Sequence, residues 1–334
     1  MSMPERPLRT CLRALACALL MGLGLAAQDP PQDLHTPEGQ YRFAEGLFFR
    51  KFYDLAEKEY RAFGERFPDH ALGPEAAYRR ILCLRHLKKD EEMVQAMDQF
   101  QAKWPKNEMA ARLSLWKGEL LLGRQDFAGA EACFRRLLEH ADTVLREAAT
   151  YFVAQCLERQ GKPAEALAIY QRLADAPFDA EHEYRPYALY AIAVAEQRRG
   201  QNAQAAPRFQ RLADAEKVPP PVREEALYRL AETRFALEAY DDAIRGYERV
   251  LAEFPDGAFA REARKRLSWA RYMKGDFRQA ADTAAEWRRL FPAERDPEVD
   301  FVQAASMVGL ESYAEALPLL QRLAETAGVP ADTV

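Results

Sequence analysis

The side chains that most often carry enzyme chemistry are scattered along this sequence. The five histidines, His35, His70, His86, His140 and His182, never stand at the spacing of a metal-binding pair such as H-x-x-x-H. The sequence also lacks a G-x-S-x-G nucleophile elbow, a P-loop and a local cysteine–histidine signature. Its many carboxylates fall on the polar faces of predicted helices, where solvated charge is their ordinary role. The sequence therefore predicts no enzyme activity, no cofactor and no metal site.

Aromatic side chains, which can recognise a partner protein, recur in this sequence at a regular spacing. Tyrosine combines a large contact area with a hydrogen-bonding tip and loses little entropy when it binds. An aromatic residue recurs at one position of a repeating segment, at Tyr41, Tyr78, Tyr151, Tyr190, Tyr228 and Phe301. These rings either line a binding surface or pack on a neighbouring helix, and the sequence leaves both alternatives open.

The stretch Arg223–Pro255 shows which elements hold such rings. Its apolar residues recur at helical spacing in two halves, which predicts two amphipathic helices joined by a tight turn at Glu238–Tyr240. The small residues Ala231 and Ala243 fall where the two helices must approach closely. Pro255 ends the second helix, because proline has no N–H and clashes with the preceding turn. The unit cannot bury its own apolar faces and therefore needs neighbours.

The neighbours are present as eight copies in regular register. The copies recur at nearly even intervals when they are aligned on one position of the second helix, occupied by Ala56, Met93, Ala130, Ala166, Ala205, Ala243, Ala280 and Ala316. This pattern resembles the tetratricopeptide repeat, in which helix A carries a small residue and helix B follows with aromatic-x-x-Ala-x-x-x-aromatic. The resemblance implies an all-α fold, a right-handed α-α superhelix (solenoid) of about eight helix-turn-helix repeats over residues 37–327.

The resemblance also places helix A on a concave face that binds partner segments. The aromatic residues at the shared helix A position are therefore the candidate partner-binding groove. Three carboxylates one turn further on, Glu45, Glu119 and Glu232, have no basic partner four residues earlier on their own helix. We expect them to give the groove a mildly acidic character, suited to a basic or apolar segment.

Three cysteines lie in the repeats, and all fall on the apolar side of predicted helices. Cys83 and Cys156 occupy one repeat position two repeats apart, too far for a disulfide, whose Cα atoms lie within about 7 Å. Cys133 and Cys156 lie in consecutive repeats, so the spacing neither excludes nor requires a bridge between them. We expect all three to serve as small buried hydrophobic residues.

The beginning of the chain has the composition of a secretory signal peptide. Arg6, Arg9 and Arg13 precede the apolar run Ala14–Ala27, which is too short to span a bilayer. A lipid-attachment signal at Cys17 is the alternative, but such a cysteine stands at the end of the apolar run, not near its start. We expect residues 1–27 to be a signal peptide and residues 28–36 to be a disordered lead-in.

The end of the sequence repeats a segment that precedes a helix A elsewhere. Gln321–Val329 matches Gln210–Val218, which leads into the sixth repeat. Residues 328–334 therefore read as the start of a truncated ninth repeat, which indicates either a piece of a longer protein or an end that a partner caps.

Charge and repeat style define the expected partners. The net charge is −5, and no basic stripe follows any predicted helix, which argues against nucleic acid. The aromatic-Pro pairs that end helix B at Phe67-Pro68, Trp104-Pro105, Phe254-Pro255 and Phe291-Pro292, together with the signal peptide, resemble bacterial cell-envelope tetratricopeptide repeat proteins of the outer-membrane assembly and Tol-Pal types. The resemblance implies protein partners, a periplasmic or outer-membrane-associated location, and no small-molecule substrate.

Three hypotheses about function follow. The first is an exported scaffold that binds envelope proteins on the concave face of the solenoid. The second is the N-terminal arm of a larger envelope enzyme or secretion complex whose active part lies beyond residue 334. The third is a purely structural role with lateral self-association.

Overall fold

The structure is a computed structural model that describes residues 35–175 and 183–327. The predicted signal peptide at residues 1–27, most of the lead-in at 28–36 and the ninth-repeat segment at 328–334 lie outside the described residues. Within the described ranges the chain forms sixteen α-helices and no β-strand, as the sequence predicts.

The helices follow one another as eight consecutive A and B pairs. We number them α1 to α16, so that odd numbers are A helices and even numbers are B helices. Their bounds are α1 Pro37–Phe49, α2 Tyr53–Arg66, α3 Gly73–His86, α4 Asp90–Lys103, α5 Glu108–Gly123, α6 Phe127–Arg135, α7 Thr143–Arg159, α8 Pro163–Ala174, α9 Arg185–Arg198, α10 Asn202–Asp214, α11 Pro220–Ala236, α12 Tyr240–Glu253, α13 Ala260–Lys274, α14 Phe277–Leu290, α15 Pro297–Gly309 and α16 Tyr313–Ala327.

The chain divides between Ala110 and Ala111 into two compact units. The core of the first unit surrounds Tyr60 and Phe63 of α2. In the second unit, a continuous core runs from α5 to α13, and a further cluster surrounds Trp287 of α14. In this unit the A helices α9 and α11 also contact each other, as do α13 and α15.

Burial explains why the helix B position used for the alignment is an alanine in all repeats but one. All eight side chains at this position are at most 2% exposed. The sixth repeat shows the close approach directly, because a Cβ added at Gly246 of α12 would lie 2.8 Å from the Cβ of Ala231 on α11. The sequence prediction that Ala231 lies at a close helix contact is therefore confirmed.

The B helices that precede an aromatic-Pro pair all end in one way. The N–H of Phe254 still donates to the carbonyl of Val250 at 2.8 Å, and Pro255 cannot continue the helix. The equivalent bond closes α2 at Phe67, α4 at Trp104 and α14 at Phe291. The predicted helix stop at these four positions is confirmed.

Each A helix ends in a left-handed turn that the sequence did not reveal. Just after helix A, one residue has a positive φ in every repeat, at Lys51, Lys88, Gln125, Gly161, Gly200, Glu238, Gly275 and Glu311. In the sixth repeat the N–H of Glu238 donates to the Phe235 carbonyl at 2.9 Å, and that of Ala239 donates to the Arg234 carbonyl at 3.0 Å. This pair of bonds is a Schellman motif, which satisfies the last carbonyls of the helix.

The turn positions allow a test of backbone conformation without a change in packing. Gly161 has a φ of +78°, whereas Gly123 ends α5 with a negative φ, and a Cβ at either glycine would meet nothing within 4 Å. We expect Gly161→Ala to lower the free energy of unfolding by about 1 kcal/mol, because an L-residue is disfavoured in this region. We expect Gly123→Ala to raise it by about 0.5 kcal/mol, because alanine restricts the unfolded chain.

Urea unfolding followed by circular dichroism at 222 nm measures both changes. A Gly161→Ala variant as stable as the parent would contradict the assignment of a left-handed conformation at this position.

Candidate functional site

The predicted aromatic positions differ in how far the fold buries them. Tyr41 and Tyr228 are buried, each 8% exposed, whereas Phe301 is 43% exposed. Tyr78, Tyr151 and Tyr190 are half-buried. All six lie on A helices, as the spacing requires.

The buried rings contact neighbouring helices of the repeat stack. The ring of Tyr41 lies 5.9 Å from that of Tyr60 on α2. The ring of Tyr228 stacks on Phe259 at 5.0 Å with an interplanar angle of 23°. The sequence left open whether these rings line a binding surface or pack on a neighbouring helix, and the contacts of Tyr41 and Tyr228 are of the second kind.

Tyr190 also has a partner within the fold. The hydroxyl of Tyr190 on α9 donates to the carboxylate of Glu225 on α11. Because burial and this carboxylate both favour the protonated phenol, they raise the pKa of Tyr190. The tip of this side chain is therefore already engaged by the repeat stack.

Two of the three candidate groove carboxylates lie beside an arginine of the next A helix. Glu45 is 3.8 Å from Arg79, and Glu232 is 3.6 Å from Arg266. Glu232 also accepts a hydrogen bond from the hydroxyl of Tyr247. These contacts offset the acidic character expected from the sequence, where we compared charges only within one helix.

Glu119 belongs to a different environment, a cleft between the A helices α5 and α7. This cleft, which we call the aromatic cleft, has a volume of about 580 Å³ and is lined by Glu119, Leu122, Gly123, Gln125, Phe127, Phe152, Gln155 and Arg159. The ring of Phe152 is held in place because it stacks on Phe134 of α6 at 4.9 Å. Glu119 and Arg159 are exposed at the rim, with opposite charges.

A cluster of tyrosines lies beside this cleft. The ring of Tyr184 lies 5.4 Å from that of Phe152 and 5.2 Å from that of Tyr151. Burial raises the pKa of Tyr151 to about 12 and that of Tyr184 to about 12. The phenols are therefore neutral at physiological pH, and both rings pack against Phe152, which lines the cleft.

Of the cleft residues, only Glu119 was selected from the sequence. Phe152, Gln155 and Arg159 occupy helix A positions one, four and eight residues beyond the tyrosine Tyr151. Their helical spacing from Tyr151 was visible in the sequence, but such spacing does not distinguish a cleft residue from a core residue. Tyr184 gave no periodic signal, because it precedes its helix.

The described residues offer little for covalent or metal chemistry. Cys83, Cys133 and Cys156 are all buried. Burial raises the pKa of the Cys83 thiol to about 12 and that of the Cys156 thiol to about 11, so these thiols are protonated at neutral pH. Within residues 35–175 and 183–327, no group of three or more His, Cys, Asp or Glu side chains is placed to hold a metal ion.

Comparison with known sequences identifies the class of protein. The sequence profile of the tetratricopeptide repeat matches residues 109–180 and 190–258. The chain therefore contains tetratricopeptide repeats in these two segments. No curated protein matches the chain.

Solved structures with the same arrangement of helices are distant in sequence. The C-terminal part of a TPR repeat-containing protein from Cytophaga hutchinsonii is 16% identical, with a TM-score of 0.59 over 81% of this chain and 99% of that one. The apo form of RapI is 10% identical, with a TM-score of 0.54 over 87% of this chain and 86% of that one. These likenesses show the all-α repeat fold, whose stacked helices form extended surfaces for protein binding.

The length and apolar character of the described helices show whether any of them could cross a membrane. None of the helices in the described ranges combines the length and the apolar character needed to cross a bilayer.

The raised pKa of Tyr151 gives a pH dependence with a defined sign. Between pH 10 and pH 12 the native phenol stays protonated while the unfolded one loses its proton, so the free energy of unfolding falls as pH rises through this range. We expect this decrease to be smaller in Tyr151→Phe than in the parent, because phenylalanine has no proton to lose. Urea unfolding midpoints at pH 8, 10 and 11 measure this difference. An equal decrease of the midpoint with pH in both proteins would contradict the prediction.

Proposed function

We propose that this chain is an exported scaffold of the bacterial cell envelope that holds an extended segment of a partner protein in the aromatic cleft. The observation that carries the proposal is the cleft itself. Its volume of about 580 Å³ lies within the range of ordinary ligand sites, and its aromatic floor is combined with a few polar groups.

The lining indicates what the bound segment carries. The half-buried rings of Phe152 and Phe127 accept an apolar or aromatic side chain. The side-chain amide of Gln155 both donates and accepts hydrogen bonds, which suits the peptide groups of an extended backbone. Glu119 and Arg159 at the rim favour a segment whose charges alternate in sign, and they orient it along the cleft.

Export is supported by the sequence of residues 1–27. A basic beginning, a short apolar run and small residues at its end are the features that signal peptidase substrates share. A periplasmic or outer-membrane-associated location follows from this proposal, with other envelope proteins as the partners.

The choice of variants follows from the contacts of the tyrosines. Double substitution of Tyr151 and Tyr190 would remove rings that pack against α9 and α10. Loss of binding in such a variant would not distinguish a lost contact from a disturbed fold. Exposed residues at the cleft rim provide a cleaner test.

The rim charges are the basis of the central prediction. We expect the charge swap Glu119→Lys/Arg159→Glu to weaken partner capture by at least about tenfold, because it reverses both orienting charges at an interface. Affinity capture from envelope extract with residues 28–334, quantified by mass spectrometry, gives the retained proteins. Those lost from the variant are then purified and tested for direct binding.

A matched control has the same charge change on α14. Glu286 and Arg289 are both exposed there, so Glu286→Lys/Arg289→Glu leaves the net charge unchanged in the same way. The control is expected to capture the parent's partners. Equal capture by the rim variant, at equal helicity, would exclude the aromatic cleft as the binding site.

Export can be tested by the location and the first residue of the mature protein. When the full chain is expressed in a Gram-negative host, we expect the periplasmic fraction to contain protein that begins at Ala27 or Gln28. N-terminal sequencing identifies the first residue. Uncleaved protein confined to the cytoplasm would contradict export, without bearing on the aromatic cleft.

A further inference from the structure

A second cavity of the larger unit is lined by arginines from four helices. It lies among α6, α7, α8 and the start of α9, and its volume is about 490 Å³. We call it the arginine groove, and it is lined by Arg135, Leu138, Thr143, Arg146, Glu147, Thr150, Val153, Ile169, Arg172, Leu173 and Arg185. The described residues that line it are all different from those of the aromatic cleft.

Two of its four arginines are paired with carboxylates of the fold. Arg135 lies 2.6 Å from Glu131 one turn earlier on α6. Arg185 lies 3.6 Å from the buried Glu147 of α7. These two pairs neutralise half of the positive charge around the groove.

The other two arginines are not neutralised by any carboxylate in the described part of the chain. Arg146 donates to the backbone carbonyl of His140 at 2.7 Å, which satisfies one N–H but leaves the charge. Arg172 is exposed on α8 and has no ion pair or hydrogen bond with the described residues. The groove therefore has an excess of two positive charges.

The equivalent grooves of two other repeats have a smaller excess of positive charge. In the groove among α2, α3 and α4, the buried Glu57 pairs with Arg80 at 2.9 Å and with Arg61 at 3.7 Å. In the groove among α14, α15 and α16, the arginines are accompanied by Glu294 and by two aspartates. These two grooves therefore have more carboxylates for each cation than the arginine groove has.

The floor of the groove indicates the rest of the ligand. Between the arginines lie the aliphatic side chains of Leu138, Val153, Ile169 and Leu173. None of the described residues that line it is aromatic, so these residues offer no platform for a nucleotide base. Guanidinium groups bind carboxylates in a planar, bidentate manner, and the aliphatic floor accepts a branched side chain.

We propose that the arginine groove binds a peptide segment that combines carboxylates with aliphatic side chains. The site is independent of the aromatic cleft, because it lies mainly on B helices and the beginning of A helices. The chain then holds two protein segments of different chemistry on one unit.

The probe that tests this site is a fluorescein-labelled hexapeptide of alternating glutamate and leucine. We expect saturable binding to the parent in fluorescence polarisation. Arg172→Glu is expected to weaken the affinity by at least about tenfold, because it removes a charge-assisted contact and adds a repulsive charge. Since Arg172 has no partner among the described residues, this variant is expected to keep the parent's helicity and urea midpoint.

Two control variants separate this site from others. Arg289→Glu makes the same change at an exposed arginine of the groove among α14, α15 and α16, and Arg159→Glu makes it in the aromatic cleft. Both are expected to bind the probe as the parent does. A hexapeptide of alternating lysine and leucine is expected not to bind.

Three results would overturn the proposal. One is no saturable binding of the probe to the parent, and another is equal affinity for the parent and Arg172→Glu. The third is displacement of the probe by pyrophosphate at a lower concentration than by unlabelled peptide, which would assign the groove to a phosphate-bearing ligand.

Discussion

The fold depends on the close approach of helix A and helix B within each repeat. The aligned helix B residue has almost no exposed surface in all eight pairs, and in the sixth pair Gly246 brings the α12 backbone against Ala231. A larger side chain at such a contact would separate the helices and expose the core behind them. The large residues, such as Tyr247 and Phe209, can be fully buried only because the small ones let the helices come together. Spacing between the small residues therefore sets the position of every other side chain.

Much of the fold was accessible from the sequence because it depends on local rules. Small residues at fixed spacing predicted the pairs, and the aromatic-Pro pairs predicted where four B helices end. The left-handed turns were not accessible, since five of the eight residues are lysine, glutamine or glutamate, which give no sequence signal of a positive φ. The division at Ala110 was equally hidden, because the register from Met93 to Ala130 continues without a change in spacing.

The candidate site was less accessible, because its properties arise between helices that are far apart in sequence. The charges of Glu45 and Glu232 were judged against their own helices, yet their arginine partners lie on the next A helix. Phe152 gave a helix-periodic signal like any core residue, and only the structure shows that part of its surface faces a cleft. Binding surfaces of repeat proteins are assembled in this way from neighbouring units, so a single repeat carries little of their description.

The eight left-handed turns have a consequence for adaptation to temperature. Each is exposed, and each has one backbone geometry whatever its side chain. Three already carry glycine, which occupies this geometry without steric cost, while the remaining five carry longer side chains. In a protein that evolves at higher temperature, glycine or asparagine at these five positions would remove the steric cost of the positive φ. Of the five, Gln125 alone is among the described residues that line the aromatic cleft or the arginine groove. Thermal tolerance and partner choice can therefore change almost independently in this chain.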